Sequence, residues 1–268
     1  MAYWLFDLLV LALPAGLLVG GRRVPRRLLV ATGALAVVAL LWTAPWDEHL
    51  VRSGVWSYGP DRVLATIGSV PVEEYAFVIL LVVLVAAWGM RTGRLPTSVA
   101  AQAPAVLRPA ARQNGALLWA AVLVAGAGLL AVAGGWRYLG LLLVWIAPPM
   151  LLQRAVAGDL LRARRLDRAV VAAPVALWLC VADRLALADG IWVIAPESST
   201  GVLLLGLPLE EALFFFLTCW LVTDGLVLAT DDRAVGRVTA RLVRLGVGRP
   251  VPPDVLARNA MTRGPAPG

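Results

Sequence analysis

The sequence predicts an all-α membrane protein of about seven transmembrane helices, arranged as two parallel three-helix repeats around a linking helix. Three observations carry this prediction: apolar residues gathered in long runs, arginines that alternate between heavy and light loops, and a match between the two halves of the chain.

The composition comes first. The chain has 268 residues, of which 60% are apolar and 15% charged, with a mean hydropathy of +0.80. A soluble domain is about 45–50% apolar, so the excess is expected to face lipid. Runs such as Leu28 to Trp46, Ala116 to Ala133 and Ala212 to Ala229 approach the roughly 20 residues that cross a hydrocarbon core. They lack the alternation of barrel strands and read as helices, which satisfy their own backbone in lipid. The predicted segments are 3–20, 28–46, 63–90, 115–134, 138–153, 169–187 and 201–229. No basic stretch precedes the first, so a cleavable leader is not expected. Localisation in the cell membrane as a multi-pass protein follows.

The arginines set the orientation. Of 24, 20 fall in the connections after the first, third and fifth segments and in the C-terminal tail. The other side holds only Arg52, Arg62, Arg137 and Arg184. Positive charge stays cytoplasmic, so the N-terminus is expected outside and the C-terminus in the cytoplasm. The formal charge of +7 is a topological signal, and no nucleic-acid partner is expected. The stretch from Pro250 to Gly268, rich in Pro, Gly and Arg, reads as disordered.

The repeat comes from comparing the chain with itself. At an offset of 136, Trp42, Asp47, Gly54, Trp56 and Pro60 meet Trp178, Asp183, Gly190, Trp192 and Pro196. At 137, Pro71, Glu73, Glu74 and Phe77 meet Pro208, Glu210, Glu211 and Phe214, while Tyr3 and Pro14 meet Tyr138 and Pro149 at 135. The expected units are residues 1–90 and 138–230, linked by 91–137 and followed by a basic tail, 231–268. Four crossings separate the equivalent starts, which makes the repeat parallel, about an axis along the membrane normal.

Chemistry is expected at Glu73, Glu74, Glu210 and Glu211. One reading is structural: a proline opens each helix and two acids occupy the first turn, where the dipole favours negative charge. The other is functional. The residues before each pair are already apolar, and an ionisable group inside a membrane is costly and marks a site. Adjacent helical residues point about 100° apart, so one acid of a pair can face the bundle interior while the other meets a neighbour. The test positions named from sequence are Glu73→Gln and Glu210→Gln.

Other features add less. Asp47 and Asp183, at the outer ends of matching helices, divide evenly between support and structure. Trp42, Trp46, Trp56, Trp178 and Trp192 read as an aromatic belt, with the alternative that some rings cover a cation. Cys180 and Cys219 read as packing residues. Gly126 to Ala131 fits G-x-G-x-x-A, but no strand precedes it, so it reads as small residues that let helices approach. His49 is the single histidine, and no metal site is expected.

Pro71-Val-Glu-Glu-Tyr-Ala-Phe77 and Pro208-Leu-Glu-Glu-Ala-Leu-Phe214, each preceded by a Gly-x-Trp segment, resemble the integral-membrane lycopene cyclases of bacteria, archaea and fungi. The chain looks like the fused form of a family whose halves are often separate subunits. The resemblance implies an isomerase without net redox change or cofactor, which cyclises ψ ends of a linear carotenoid, β rings being the first expectation. The Glu residues would supply acid and base, with Asp47, Asp183, Trp56, Trp192, Phe77 and Phe214 supporting or lining the substrate. Expected partners are lycopene or an elongated relative, the lipid bilayer and other carotenoid-pathway enzymes. The alternative from another class is a small-solute transporter with the same 3+1+3 parallel layout as the SWEET proteins. A Glu-Glu-x-x-x-Arg intramembrane protease is weaker, because the arginine and later histidines are missing.

Overall fold

The computed structural model of the chain describes residues 1–97, 107–132, 134–244 and 246. The predicted disorder of Pro250 to Gly268 lies outside them. The helices are α1 (Tyr3–Val19), α2 (Arg26–Arg52), α3 (Val72–Thr92), α4 (Ala110–Leu130), α5 (Arg137–Ala163), α6 (Arg165–Asp189), α7 (Leu209–Thr230) and α8 (Asp232–Arg244). Six of them, α2 to α7, are long and apolar enough to cross a membrane, and α1 is apolar but shorter. The central helices are α3 and α7, whose apolar windows are 56% and 50% buried against 11% for the peripheral α4.

Two predicted helix starts are corrected. The third helix begins at Val72 and the seventh at Leu209, each about a turn or two later than hydropathy suggested. Short strands occupy the difference: β1 (Trp56–Tyr58), β2 (Thr66–Ile67) and β3 (Val70–Pro71) in the first half, β4 (Trp192–Ile194), β5 (Leu203–Leu204) and β6 (Leu207–Pro208) in the second. β2 pairs with β3 and β5 with β6 as tight hairpins. Positive φ at Gly68, and at Leu205 and Gly206, makes the turns. Pro71 and Pro208, extended at φ −57 and −53, lead directly into the helices. The hairpins carry apolar tips such as Ile67 and Leu205, which is why hydropathy merged them with the spans.

Other boundaries also move. α2 continues through Pro45 to Arg52, and α5 reaches Ala163 across a kink at Ala157. The amphipathic α8 was not anticipated in the basic tail. It docks on α5 through a two-pronged Arg237–Asp159 pair at 2.6 and 2.8 Å and through Ala234, packed with Ala157 and Leu160.

The halves join where β1 and β4 pair antiparallel, with Trp56 opposite Ile194, Ser57 opposite Val193 and Tyr58 opposite Trp192. Since Ser57 and Val193 are 136 positions apart, the register is symmetric about that central pair. α4 packs along α5, and a Cβ on Gly126 would lie 3.1 Å from the Val144 nitrogen, so the small-residue stretch permits a close approach. Near the opposite end of the bundle Asp224, fully buried, is gripped by Arg168 and by Arg154 at 2.8 Å. Burial of such a cluster is tolerable because each charge has a partner.

Candidate active site

The first turns of α3 and α7 meet beneath the β1–β4 crossing. Each helix opens after a proline and places two glutamates at its second and third positions, where unpaired backbone N–H groups favour acids. All four glutamates are buried. The first-turn placement and the burial are both present, so the two readings of the motif are not exclusive.

The roughly 100° step between neighbours separates the members of each pair. Glu73 accepts the backbone N–H of Leu64 at 2.8 Å, and Glu210 accepts the N–H of Thr200 at 2.7 Å and the Ser199 hydroxyl at 3.1 Å. These two acids tie down the loops that lead into their helices. Glu74 and Glu211 turn inward and line one small chamber of about 30 Å³ with Tyr3, Tyr58, Asp183 and a shell of Trp and Phe rings.

Polar contacts inside the chamber are few. Glu74 Oε2 accepts from the Tyr3 hydroxyl at 2.7 Å and from the Tyr58 hydroxyl at 3.1 Å. Glu211 Oε1 accepts from the Tyr138 hydroxyl at 2.5 Å. Asp183 lines the chamber with Glu211, and its Oδ1 accepts the Trp192 indole N–H at 2.8 Å. Asp47, also buried, feels the Glu74 charge but is not part of the chamber lining. Burial first, and then the Glu74 charge, pushes the Tyr58 hydroxyl well above its ordinary range, so Tyr58 remains a donor.

Aromatic rings close the space. Tyr3 packs against Trp192 at 5.1 Å and Tyr138 against Trp56 at 5.7 Å, so the tyrosine of each half rests on the tryptophan of the other. Phe214 sits 5.1 Å from Phe215, which in turn meets Phe77 at 6.2 Å. Trp56, Trp192, Phe77 and Phe214 are therefore chamber residues, while Trp42 and Trp178 stand on the outer wall, 42% and 47% exposed. Phe77 and Phe214 also line a second, mainly apolar cavity of about 110 Å³ that runs between α2, α3, α5 and α7 past Trp42, Trp145 and Gln153. The chamber and this groove adjoin at the two phenylalanines.

Several participants escaped sequence reasoning. Tyr3 and Tyr138 were visible as a repeat match, yet nothing linear showed that their hydroxyls reach acids 71 and 73 residues away. Tyr58 has no counterpart, since Ile194 stands 136 positions on. Asp7, buried with neither carboxylate oxygen hydrogen-bonded, acts on Glu74 through space; a lone acid in the first apolar run was the available signal. Among the described residues no cluster of three or more His, Cys, Asp or Glu could hold a metal ion.

The family profile described as lycopene cyclase matches residues 1–88 and 136–224. A lycopene beta-cyclase of Halobacterium salinarum is 41% identical over 199 residues, 73% of this chain and 80% of that protein. Bifunctional lycopene cyclase/phytoene synthases of Arthroderma gypseum and Phaeosphaeria nodorum are 36% and 34% identical over 80% and 83% of this chain. The chain spans only 38% and 39% of those two longer proteins. No solved structure matches.

Proposed function

The chain belongs to the lycopene cyclase family and is an isomerase of carotenoid biosynthesis, and we propose that Glu74 and Glu211 are its acid–base pair and that it closes β rings. The observation that carries this is the convergence of these two acids, 137 positions apart, on one aromatic chamber. Protonation of the terminal double bond of a ψ end forms a tertiary cation. The next double bond attacks it to close the ring, and loss of a proton restores neutrality. Such a reaction needs an acid, a base and a shape that folds the chain end. The faces of Trp56, Trp192, Phe77 and Phe214 supply cover for the passing cation. The groove that adjoins the chamber at Phe77 and Phe214 is lined mainly by apolar side chains and suits part of the polyene.

The same reading extends to the membrane. We take α1 to α7 as seven crossings, about 25 Å being the rise of the shortest, with α1–α3 and α5–α7 as parallel repeats joined by α4. Ion pairs support a common arginine-rich end: Arg27 with Asp232, Arg94 with Asp167 and Arg164 with Asp231. The N-terminal amine and Arg62 meet Asp189 at the other. The common arginine-rich end supports an outside N-terminus in the cell membrane. The solute-transporter alternative finds no support among the relatives.

The test is expression in a lycopene-accumulating host, with pigments identified by chromatography and mass. The parent chain is expected to convert lycopene to a product of equal mass carrying β rings. The Glu74→Gln/Glu211→Gln variant is expected to leave lycopene unreacted at unchanged protein level. Near-parental turnover in that variant would remove this assignment of the acids.

A further inference from the structure

The two acids of the chamber stand at equivalent positions in sequence but not in hydrogen bonding. At Glu74, one carboxylate oxygen takes two phenolic O–H groups, from Tyr3 and Tyr58. Two phenolic donors on one oxygen suit an ionised carboxylate, which only accepts. At Glu211 a single phenol, Tyr138, donates, and the other flank is a second carboxyl group, Asp183. Both are buried and line the same chamber, where two ionised carboxylates would repel each other and a single proton held between them removes that repulsion.

The surroundings of Asp183 agree. It is fully buried, and the ionisable groups that act on it, Glu211 and Glu74, are both acidic. Its Oδ1 is committed to the Trp192 indole, while no N–H or O–H donor reaches Oδ2. The matching place in the other half is built differently. No indole bond to Asp47 is made there, and the Trp56 indole nitrogen has no partner. Tyr58 takes up the second position on Glu74 instead.

We infer that Asp183 and Glu211 share a proton and together form the acid, and that Glu74, held ionised by two phenols, is the base. This rests on the assignment of Glu74 and Glu211 to the reaction made above. The pair gives its proton to the CH carbon of the terminal double bond of the ψ end, and the electron pair of that double bond forms the new C–H bond. The tertiary cation left behind is closed by the electron pair of the next double bond, which forms the ring C–C bond and moves the cation into the ring. Glu74 removes a proton from the carbon beside it, and the released C–H pair becomes the ring double bond. Return of that proton from Glu74 across the shared chamber restores both groups, and substrate and product have the same formula.

Asp183→Asn tests this directly, because the amide oxygen can still accept from Trp192 while its NH₂ group replaces the shared proton. Turnover in the lycopene-accumulating host is expected to fall by about 10²–10⁴-fold. In purified protein, the infrared C=O stretch of a protonated carboxyl group is expected to disappear in Asp183→Asn and in Glu211→Gln and to persist in Glu74→Gln. Parental turnover in Asp183→Asn, a band intact in both Asp183→Asn and Glu211→Gln, or a band lost in Glu74→Gln would each overturn the inference. If any of these occurs while Glu74→Gln/Glu211→Gln is inactive, the broader assignment stands and only the division between acid and base fails.

Discussion

The indole N–H of Trp178 on α6 donates to the Val10 carbonyl of α1 at 2.9 Å. Pro14, four residues on, has no N–H to offer that carbonyl, and a π-turn over Leu8–Ala12 marks the disturbance. The equivalent bond, from Trp42 to the Trp145 carbonyl ahead of Pro149, is 3.3 Å. Trp178→Phe is expected to destabilise the protein by about 1 kcal/mol, the cost of a partly exposed acceptor that loses its donor on the lipid-facing wall. The longer Trp42 bond should matter less. Thermal unfolding in detergent checks both, and equal or absent shifts would show that the indoles do not satisfy these carbonyls.

Glu73→Gln and Glu210→Gln, the test positions named from sequence, are now expected to act on the hairpins more than on the chemistry. Gln keeps an acceptor for the Leu64 and Thr200 N–H groups but forfeits the charge-assisted part of each bond, about 1 kcal/mol. Cyclisation should stay within roughly tenfold of the parent, against the 10²–10⁴ loss typical of a missing acid or base. A loss of that size, with protein levels unchanged, would return these residues to the chemistry.

Asp224→Asn should be among the more damaging changes outside the chamber. It leaves Arg168 and Arg154 buried without their anion. Breaking one side of a buried ion pair costs about 3–5 kcal/mol. The measurement is the midpoint of thermal inactivation, and an unchanged midpoint would mean that water reaches the arginines.

Gly59→Ala probes the crossing of the halves. A Cβ there would overlap the Gly190 carbonyl oxygen, which is backbone and cannot rotate aside. The Gly59 N–H also donates to the Ile191 carbonyl at 3.1 Å. Overpacking of this kind costs about 1–3 kcal/mol. Activity should fall with it, because Trp56, Tyr58 and Trp192 lie on the strands that would be pushed apart. Normal stability and turnover would show that the crossing has slack.

Single cysteines placed at Arg23, Asp61 and Arg237, in a chain whose Cys180 and Cys219 are replaced by serine, test the orientation. A membrane-impermeant maleimide added to intact cells is expected to label position 61 and to spare 23 and 237 until the membrane is opened. The reverse pattern would overturn the outside N-terminus.

Much of this protein was present as linear pattern. The spans, the arginine asymmetry and the doubled Pro-x-Glu-Glu can be read directly, because hydropathy, charge and spacing are properties of the chain before it folds. Asp47, Asp183, Trp56, Trp192, Phe77 and Phe214 stand at matched positions visible in the sequence, and all but Asp47 line the chamber. The hairpins were missed because apolar strands at the mouth of a helix have the same hydropathy as its first turns.

Phase and long-range contact were decided only by tertiary structure. Adjacent glutamates differ by about 100° of helical rotation, and which of them faces the chamber depends on how α3 and α7 are turned against their neighbours. The phenols reach Glu74 and Glu211 from α1, β1 and α5, through packing that leaves no periodic mark on the sequence. The same holds for the difference between the halves: a duplicated motif encodes equivalent acids, and only the unequal neighbours, Tyr58 on β1 and Asp183 on α6, give those acids different surroundings.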